Sequence, residues 1–283
     1  MLSPHFLAGY FGGLMAVLVC APLDTIRNRL QVERFCETRI TETSLIRIAR
    51  NTIKDEGVSG LYRGLSVTLW ALPASQSIYF FAYSESKQQL RKLGLGEGWS
   101  NAFAAGIAGC VNNVATNPLW LARTRIMSQQ LHASARYTHM GQTIRLIARE
   151  EGIPALYQGL SASVLGVVHV MVQFPLYEYL KSQCHTGSGP PSYLDMLYLA
   201  LLPKLLASLV SYPHEVLRSR LQDLNKSNPQ AQFSGLWSLV KVTWRSEGVR
   251  GFYSGYKANL VRMVPGTYIT LTAYEQILYY MMS

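Results

Sequence analysis

A short pattern that begins with proline and carries a cation five residues later occurs three times in this chain. The copies are Pro22-Leu23-Asp24-Thr25-Ile26-Arg27, Pro118-Leu119-Trp120-Leu121-Ala122-Arg123 and Pro213-His214-Glu215-Val216-Leu217-Arg218. Their prolines lie 96 and 95 residues apart. A second pattern, Glu-Gly followed by Tyr-x-Gly, keeps the same step at Glu56–Gly64, Glu151–Gly159 and Glu247–Gly255. Two unrelated patterns with one period across the whole chain define a threefold internal repeat. The expected division is 1–96, 97–191 and 192–283, with the three units building one transmembrane domain.

Membrane residence follows from where the charges are missing. Only 15% of the 283 residues are charged, against roughly 25% in soluble domains. No Asp, Glu, Lys or Arg lies between Met1 and Asp24, Arg63 and Glu85, Glu97 and Arg123, or Glu151 and Glu178. Gaps of about 20 residues or more suffice for a helix to cross a bilayer. In the third repeat Lys204 and Arg262 interrupt the apolar stretches, and charges at such depth are costly unless they face water or partners. The mean hydropathy of +0.10 fits spans that are wet on one side. Expected spans are 6–33, 100–130 and 195–224 (odd-numbered) and 65–90, 160–183 and 256–281 (even-numbered). Amphipathic helices at Ser44–Asp55, Gly141–Glu150 and Leu236–Ser246 lie between them, along the membrane surface. Gly9 and Gly13 form a small-xxx-small step that predicts close approach of the first span to a neighbour. The fold class is therefore an all-α membrane protein of six transmembrane helices in three pseudo-threefold repeats.

Several chemistries have no support. The four cysteines show neither metal-ligand nor redox spacing, so no metal is expected. No nucleophile–base pair or phosphate loop stands in a recognisable frame, so no enzyme, catalytic residue or cofactor is expected. A net charge of +10 without a Lys/Arg block points to an anionic substrate or lipid rather than nucleic acid. The apolar run Phe6–Ala21 lacks a basic leader and continues as a repeat unit, unlike a cleavable signal peptide.

The repeated signature has a mechanical sense. Proline bends a spanning helix, and the acid and base that follow are three residues apart, on one helix face. On three helices around an axis, the acid of one can meet the base of the next and close one end of a passage. On these residues the chain resembles the mitochondrial carrier family over essentially its full length, with all three copies of Pro-x-Asp/Glu-x-x-Lys/Arg and of Asp/Glu-Gly-x-x-x-x-aromatic-Lys/Arg-Gly recognisable. The resemblance implies a monomeric six-helix inner-membrane transporter, with matrix-side amphipathic helices, a water-filled central cavity and alternating access between two gates. It also implies cardiolipin at turns such as Tyr62-Arg63-Gly64 and Phe233-Ser234-Gly235, where exposed amides can hold a phosphate.

Carried over by position, the matrix gate pairs Asp24 with Arg123 and Glu215 with Arg27. Trp120 stands where the third acid is usual and leaves Arg218 without an ionic partner. Two readings of Trp120 stay open: a cation–π contact with Arg218, or an aromatic facing lipid. Gln31 and Gln222 occupy the brace positions that hydrogen-bond the gate, and Met127 replaces the third brace. On the cytoplasmic side, Tyr177-Glu178…Lys181 is intact, Tyr83-Ser84…Lys87 lacks the acid and Tyr274-Glu275…Leu278 lacks the base. Glu275–Lys87 is the one interhelical pair left, and so weak a gate favours a conformation open to the intermembrane space.

Substrate contacts in the family lie midway along the even helices. Gly166-Val167 occupies the position where a glycine and an aliphatic residue accompany nucleotide-like substrates, by leaving room for a flat base. The other reading is that Gly166 only relieves helix crowding. His169 and Gln173, four apart on that face, offer hydrogen bonds to a ring, and Gln76 on the second helix faces the same cavity. Arg262 and Lys204 supply positive charge for phosphate or carboxylate, unless Lys204 is a structural partner of Asp195. Stretches such as Asn117-Pro118-Leu119-Trp120 and Gly166-Val167-Val168-His169…Gln173-Phe174…Tyr177-Glu178 look most like the folate/FAD/NAD and pyrimidine nucleotide branch. NAD, FAD, folate or a nucleotide is thus the expected cargo. A pyrimidine nucleotide carrier and a non-transporting, carrier-like adaptor are the alternatives.

Overall fold

The computed structural model describes residues 4–33, 45–94, 96–129, 137–184, 193–223 and 235–282. All regular structure among them is helical. Three long helices carry the proline signature: α1 (Pro4–Glu33), α4 (Glu97–Ser128) and α8 (Tyr193–Asp223). Each is followed by an amphipathic helix, α2 (Leu45–Glu56), α5 (Met140–Glu150) or α9 (Leu236–Glu247). The chain then returns along α3 (Leu65–Lys92), along α6 (Leu160–Val164) with α7 (Val167–Cys184), or along α11 (Tyr256–Met282), the last preceded by the short α10 (Val249–Phe252).

The expected even span 160–183 is not one helix. It breaks at Leu165-Gly166, where the amides of Leu165, Gly166 and His169 each bond a carbonyl three residues back instead of four. A tighter turn of this kind is common at helix ends and marks a local change of direction inside a longer one.

The repeats close on each other. Helix α1 packs along α11, α3 along α4 and α7 along α8, so every long interface joins two different repeats. Among the described residues the expected close approach at Gly9 and Gly13 is not seen, since none of them lies within 4 Å of a Cβ placed at either. The tight contact is at Gly12, where a Cβ would come within 2.9 Å of the Thr270 carbonyl oxygen on α11.

The signature ends of α1, α4 and α8 touch one another, and a ring of arginines ties them. Arg29 Nε donates to the Met127 carbonyl at 3.0 Å, Arg125 Nε to that of Gln222 at 2.6 Å, and Arg220 Nε to that of Gln31 at 3.0 Å. The same guanidinium groups hold the acid of the second marker in their own repeat: Arg29–Glu56 at 2.6 Å, Arg125–Glu151 twice at 2.9 Å and Arg220–Glu247 at 2.6 Å. All three arginines are buried. Each therefore fixes its own amphipathic helix and the next repeat's signature helix at once. A small apolar core lies beside each arginine, such as Ile26, Leu30 and Ile48 in the first repeat or Leu217, Leu221 and Leu239 in the third.

The glycines that end the second marker repeat this geometry. Gly64, Gly159 and Gly255 have φ of 77°, 81° and 79°, a left-handed conformation that costs other residues free energy. A Cβ on Gly64 or Gly159 would meet Met127 Cγ or Gln222 Cγ at 2.9 Å. The even helix thus starts directly against the neighbouring repeat.

Outward faces are apolar. On α4, Trp99, Phe103, Ile107, Val111 and Val114 recur every three or four residues and are 44–69% exposed, one continuous stripe on a helix. Two segments, Gly9–Val32 and Tyr193–Asp223, are long and apolar enough by composition to cross a membrane.

Removing one arginine of the ring strands a buried carboxylate, and breaking a pair in this way typically costs about 3–5 kcal/mol. Arg125→Ala should accordingly lower the thermal melting point of the purified protein in detergent far more than Arg145→Ala on the outer side of α5. Equal melting points for the two variants would remove the ring from the stability of the fold.

Candidate functional site

Proline inside α1, α4 and α8 precedes the signature residues by less than two turns, and the last turns of the three helices converge. Between them lies a cavity of about 280 Å³ lined by Asp24, Arg27, Asn28, Gln31, Trp120, Arg123, Thr124, His214, Glu215, Arg218, Ser219 and Gln222. All eight residues that the sequence assigned to the matrix gate stand on this one cavity.

Their contacts differ from helix to helix. Arg27 and Glu215 form an ion pair between α1 and α8, with the Arg27 guanidinium also 5.6 Å above the Tyr212 ring. Arg123 reaches Asp24 across α4 and α1 at 3.5 Å and donates to Thr68 Oγ1 at 2.7 Å. The third junction has no ion pair, and Arg218 has no carboxylate partner among the described residues. Nor does Trp120 take Arg218 as a cation–π partner. The cation over its ring is Arg123, 5.8 Å from the centroid and three residues along the same helix. Neighbours at that spacing already face each other, whereas the Arg218 stem packs beside Gly159.

The glutamines brace helices rather than ion pairs. Gln31 donates to Tyr212 Oη at 3.0 Å and accepts from Ser219 Oγ at 2.7 Å, joining α1 to α8. Gln222 accepts from Thr124 Oγ1 at 2.9 Å, joining α8 to α4. Neither amide bonds a gate carboxylate or guanidinium among the described residues.

The residues expected to meet substrate are spread along the helices, and none of those whose side chains are described lines this cavity. Arg262 is the link: its Nε lies 3.1 Å from Asp24 Oδ1, so Asp24 serves two arginines. His169 Nδ1 is 2.9 Å from Ser211 Oγ. That hydroxyl donates its own proton to the Ala207 carbonyl at 2.8 Å, which leaves it to accept from Nδ1–H. Gly166 does not open space for a ring here, because a Cβ there would meet His214 Nε2 at 3.3 Å and the Ser163 carbonyl at 2.9 Å. The Val167 side chain lies outside the described residues. Lys204 and Gln173 are half-buried and Gln76 is exposed, and Lys204 makes no ion pair with Asp195 or any other acid among the described residues.

At the far end neighbouring helices stay joined in pairs, by Ser100 Oγ to the Lys87 carbonyl at 3.3 Å and by the Tyr193 and Thr272 hydroxyls at 2.7 Å. The expected Lys87–Glu275 pair is absent among the described residues. Lys87 instead sits 5.7 Å above Tyr83 and Lys181 5.9 Å above Tyr177, each a turn away on its own helix, while Glu178 and Glu275 are exposed. Of the proposed lipid turns, Phe233 and Ser234 lie outside the described residues, and Arg63 Nε is 2.7 Å from Glu56.

Sequence reasoning overlooked Arg29, Arg125 and Arg220. They stand two residues beyond the gate cations in every repeat, so the same 95-residue period could have found them.

Three helical repeats that converge on one charged cavity define a carrier-type bundle. The chain belongs to the mitochondrial carrier family, whose model, Mitochondrial carrier protein, matches residues 2–93, 96–188 and 189–283. It is similar to nicotinamide adenine dinucleotide transporter 2, mitochondrial, of Arabidopsis thaliana, at 37% identity over 96% of this chain and 77% of the relative. It is also similar to that plant's nicotinamide adenine dinucleotide transporter 1, chloroplastic, at 35% identity over 95% and 89% of the two chains. The mitochondrial nicotinamide adenine dinucleotide transporter 1 of Saccharomyces cerevisiae is 34% identical over 95% of this chain and 74% of its own length.

Contacts within one network couple energetically. A double-mutant cycle with Arg27→Ala and Glu215→Ala, read as thermal stability in detergent, should return a coupling of about 1 kcal/mol, as for a partly exposed charge pair. Additive single effects would contradict the pair.

Proposed function

We propose that this protein is a monomeric, multi-pass carrier of the mitochondrial inner membrane that moves a nucleotide-like or cofactor-like anion, with NAD first among the candidates. The reading rests on one observation above all: Arg27, Arg123 and Arg218, from three different repeats, converge on a single cavity. The relatives' transported dinucleotide adds the chemical class. A dinucleotide carries two phosphates, and the interior of this bundle supplies Arg262, Lys204 and the signature arginines.

On this reading the three repeats make one transmembrane domain of six spans. The exposed apolar stripes such as Trp99–Val114 face lipid, and polar residues such as Ser75 and Asn112, bonded at 3.0 Å, face inward. Asp24, Arg27, Arg123 and Glu215 form the closed matrix gate. Lys87, Glu178, Lys181 and Glu275 line the open cytoplasmic mouth, through which substrate reaches His169, Gln173, Gln76, Lys204 and Arg262. A bound anion would draw Arg262 from Asp24, and the two gates would then exchange states. Cardiolipin at the marker turns belongs to the same proposal.

Uptake into liposomes by the purified protein tests the reading. NAD should enter above an empty-liposome control, with FAD, folate, UTP and ATP run beside it to rank the class. Arg262→Ala should reduce NAD uptake by about tenfold or more, the scale of a lost charge-assisted hydrogen bond. No uptake of any of the five by the wild-type protein would overturn the proposal, and a carrier-like adaptor would then stand in its place.

A further inference from the structure

The third junction of the signature ring is unlike the other two, and its residues leave a specific set of valences open. Arg218 brings a full positive charge to the cavity, while both carboxylates there are already engaged: Glu215 by Arg27, and Asp24 by Arg123 and Arg262. Four residues further along α8, Gln222 is only 3% exposed, and its Nε2 has no hydrogen-bond partner among the described residues. Its oxygen is fixed by Thr124, so the amide's two donors remain available. Asn28, 6% exposed, likewise has an unpartnered Oδ1 on the same cavity. Buried polar groups are almost always bonded in a native protein, and a cluster of exceptions calls for a cause.

The three groups fit one ligand. A cation beside an amide donor, spaced i, i+4 on one helix face, suits a phosphate oxygen pair. The half-buried Trp120 adds an aromatic face to the same cavity, and Asn28 Oδ1 accepts from a hydroxyl or ring amino group. We propose that Arg218, Gln222, Trp120 and Asn28 form a second, gate-level subsite that takes a phosphate carrying an aromatic nucleoside. It occupies the place where the other two junctions have ion pairs. The volume of about 280 Å³ is just below the roughly 300–1,000 Å³ of pockets that enclose whole ligands, so the subsite takes one mononucleotide half of a dinucleotide. Lys204 stands fourteen residues before Arg218 on nearly the same face of α8, about 21 Å away along the axis, and also lacks a carboxylate partner among the described residues. One helix thereby carries the anion from mid-span to the gate.

This inference rests on the transport reading above, and its test separates the two. Binding of NAD and of inorganic pyrophosphate is measured by the rise in melting temperature of the purified full-length protein. Both should stabilise the wild type, and Arg218→Gln should weaken both by about tenfold or more in apparent affinity. Trp120→Asp decides the matter if Arg218→Gln does not fold. By supplying the missing carboxylate it should raise the melting point of the ligand-free protein while weakening both ligands to the same degree. Trp120→Phe, which keeps a ring and adds no charge, should retain the pyrophosphate response. If Trp120→Asp raises the melting point yet binds both ligands as the wild type does, Arg218 is only an unmatched gate cation and the subsite is overturned. Wild-type affinities in Arg218→Gln overturn it equally, whereas wild-type protein that carries no NAD into liposomes overturns the transport reading itself.

Discussion

The bundle depends on a guanidinium group used three times. Arg29, Arg125 and Arg220 each hold a carboxylate of their own repeat and a backbone carbonyl of the next. Arginine suits this position because its fork presents five donors in a plane and stays charged when buried. Without the ring, the ends of α1, α4 and α8 would have only side-chain contacts between polar faces to bring them together. With it, the signature residues two positions earlier are aimed at one axis.

Threefold scaffolding does not produce a threefold site. The buried ring repeats almost atom for atom, while the cavity it frames has two ion pairs and one junction of Trp120 and Arg218. Symmetry serves the part that must hold the helices, and asymmetry the part that must recognise a molecule without a threefold axis. The same division separates Gly64, Gly159 and Gly255, alike in conformation and contact, from the positions proposed to face substrate. There, Gly166 breaks one even helix and the other two run on.

Much of this was legible in the sequence, because period and charge are one-dimensional signals. The 95-residue step and the charge-free stretches give the repeats, and the signature with its brace positions gives eight of the twelve residues of the gate cavity by number. What the sequence does not carry is which rotamer wins among reachable partners. Trp120 has a cation within its own helix at Arg123, and that local neighbour prevails over Arg218 from another helix. Gly9 and Gly13 fit a packing pattern, yet the phase of α1 puts Gly12 against α11. The glutamines occupy brace positions, but they bond hydroxyls on Tyr212, Ser219 and Thr124 rather than the ion pairs. Asp24 takes Arg262 as well as Arg123, a link between proposed substrate and gate residues that no spacing announces.

The central claim is that α1 and α4 meet at Asp24 and Arg123 when the cavity is closed and must part for substrate to leave. Cysteines placed at both positions, in a chain freed of its four native cysteines, put that claim to a direct measurement. Joining the two thiols with a short, reducible bis-thiol reagent that spans the reach of the lost Arg123 side chain should abolish NAD uptake into liposomes, and reduction should return it to the level of the variant before cross-linking. Undiminished uptake by fully cross-linked protein would contradict the account.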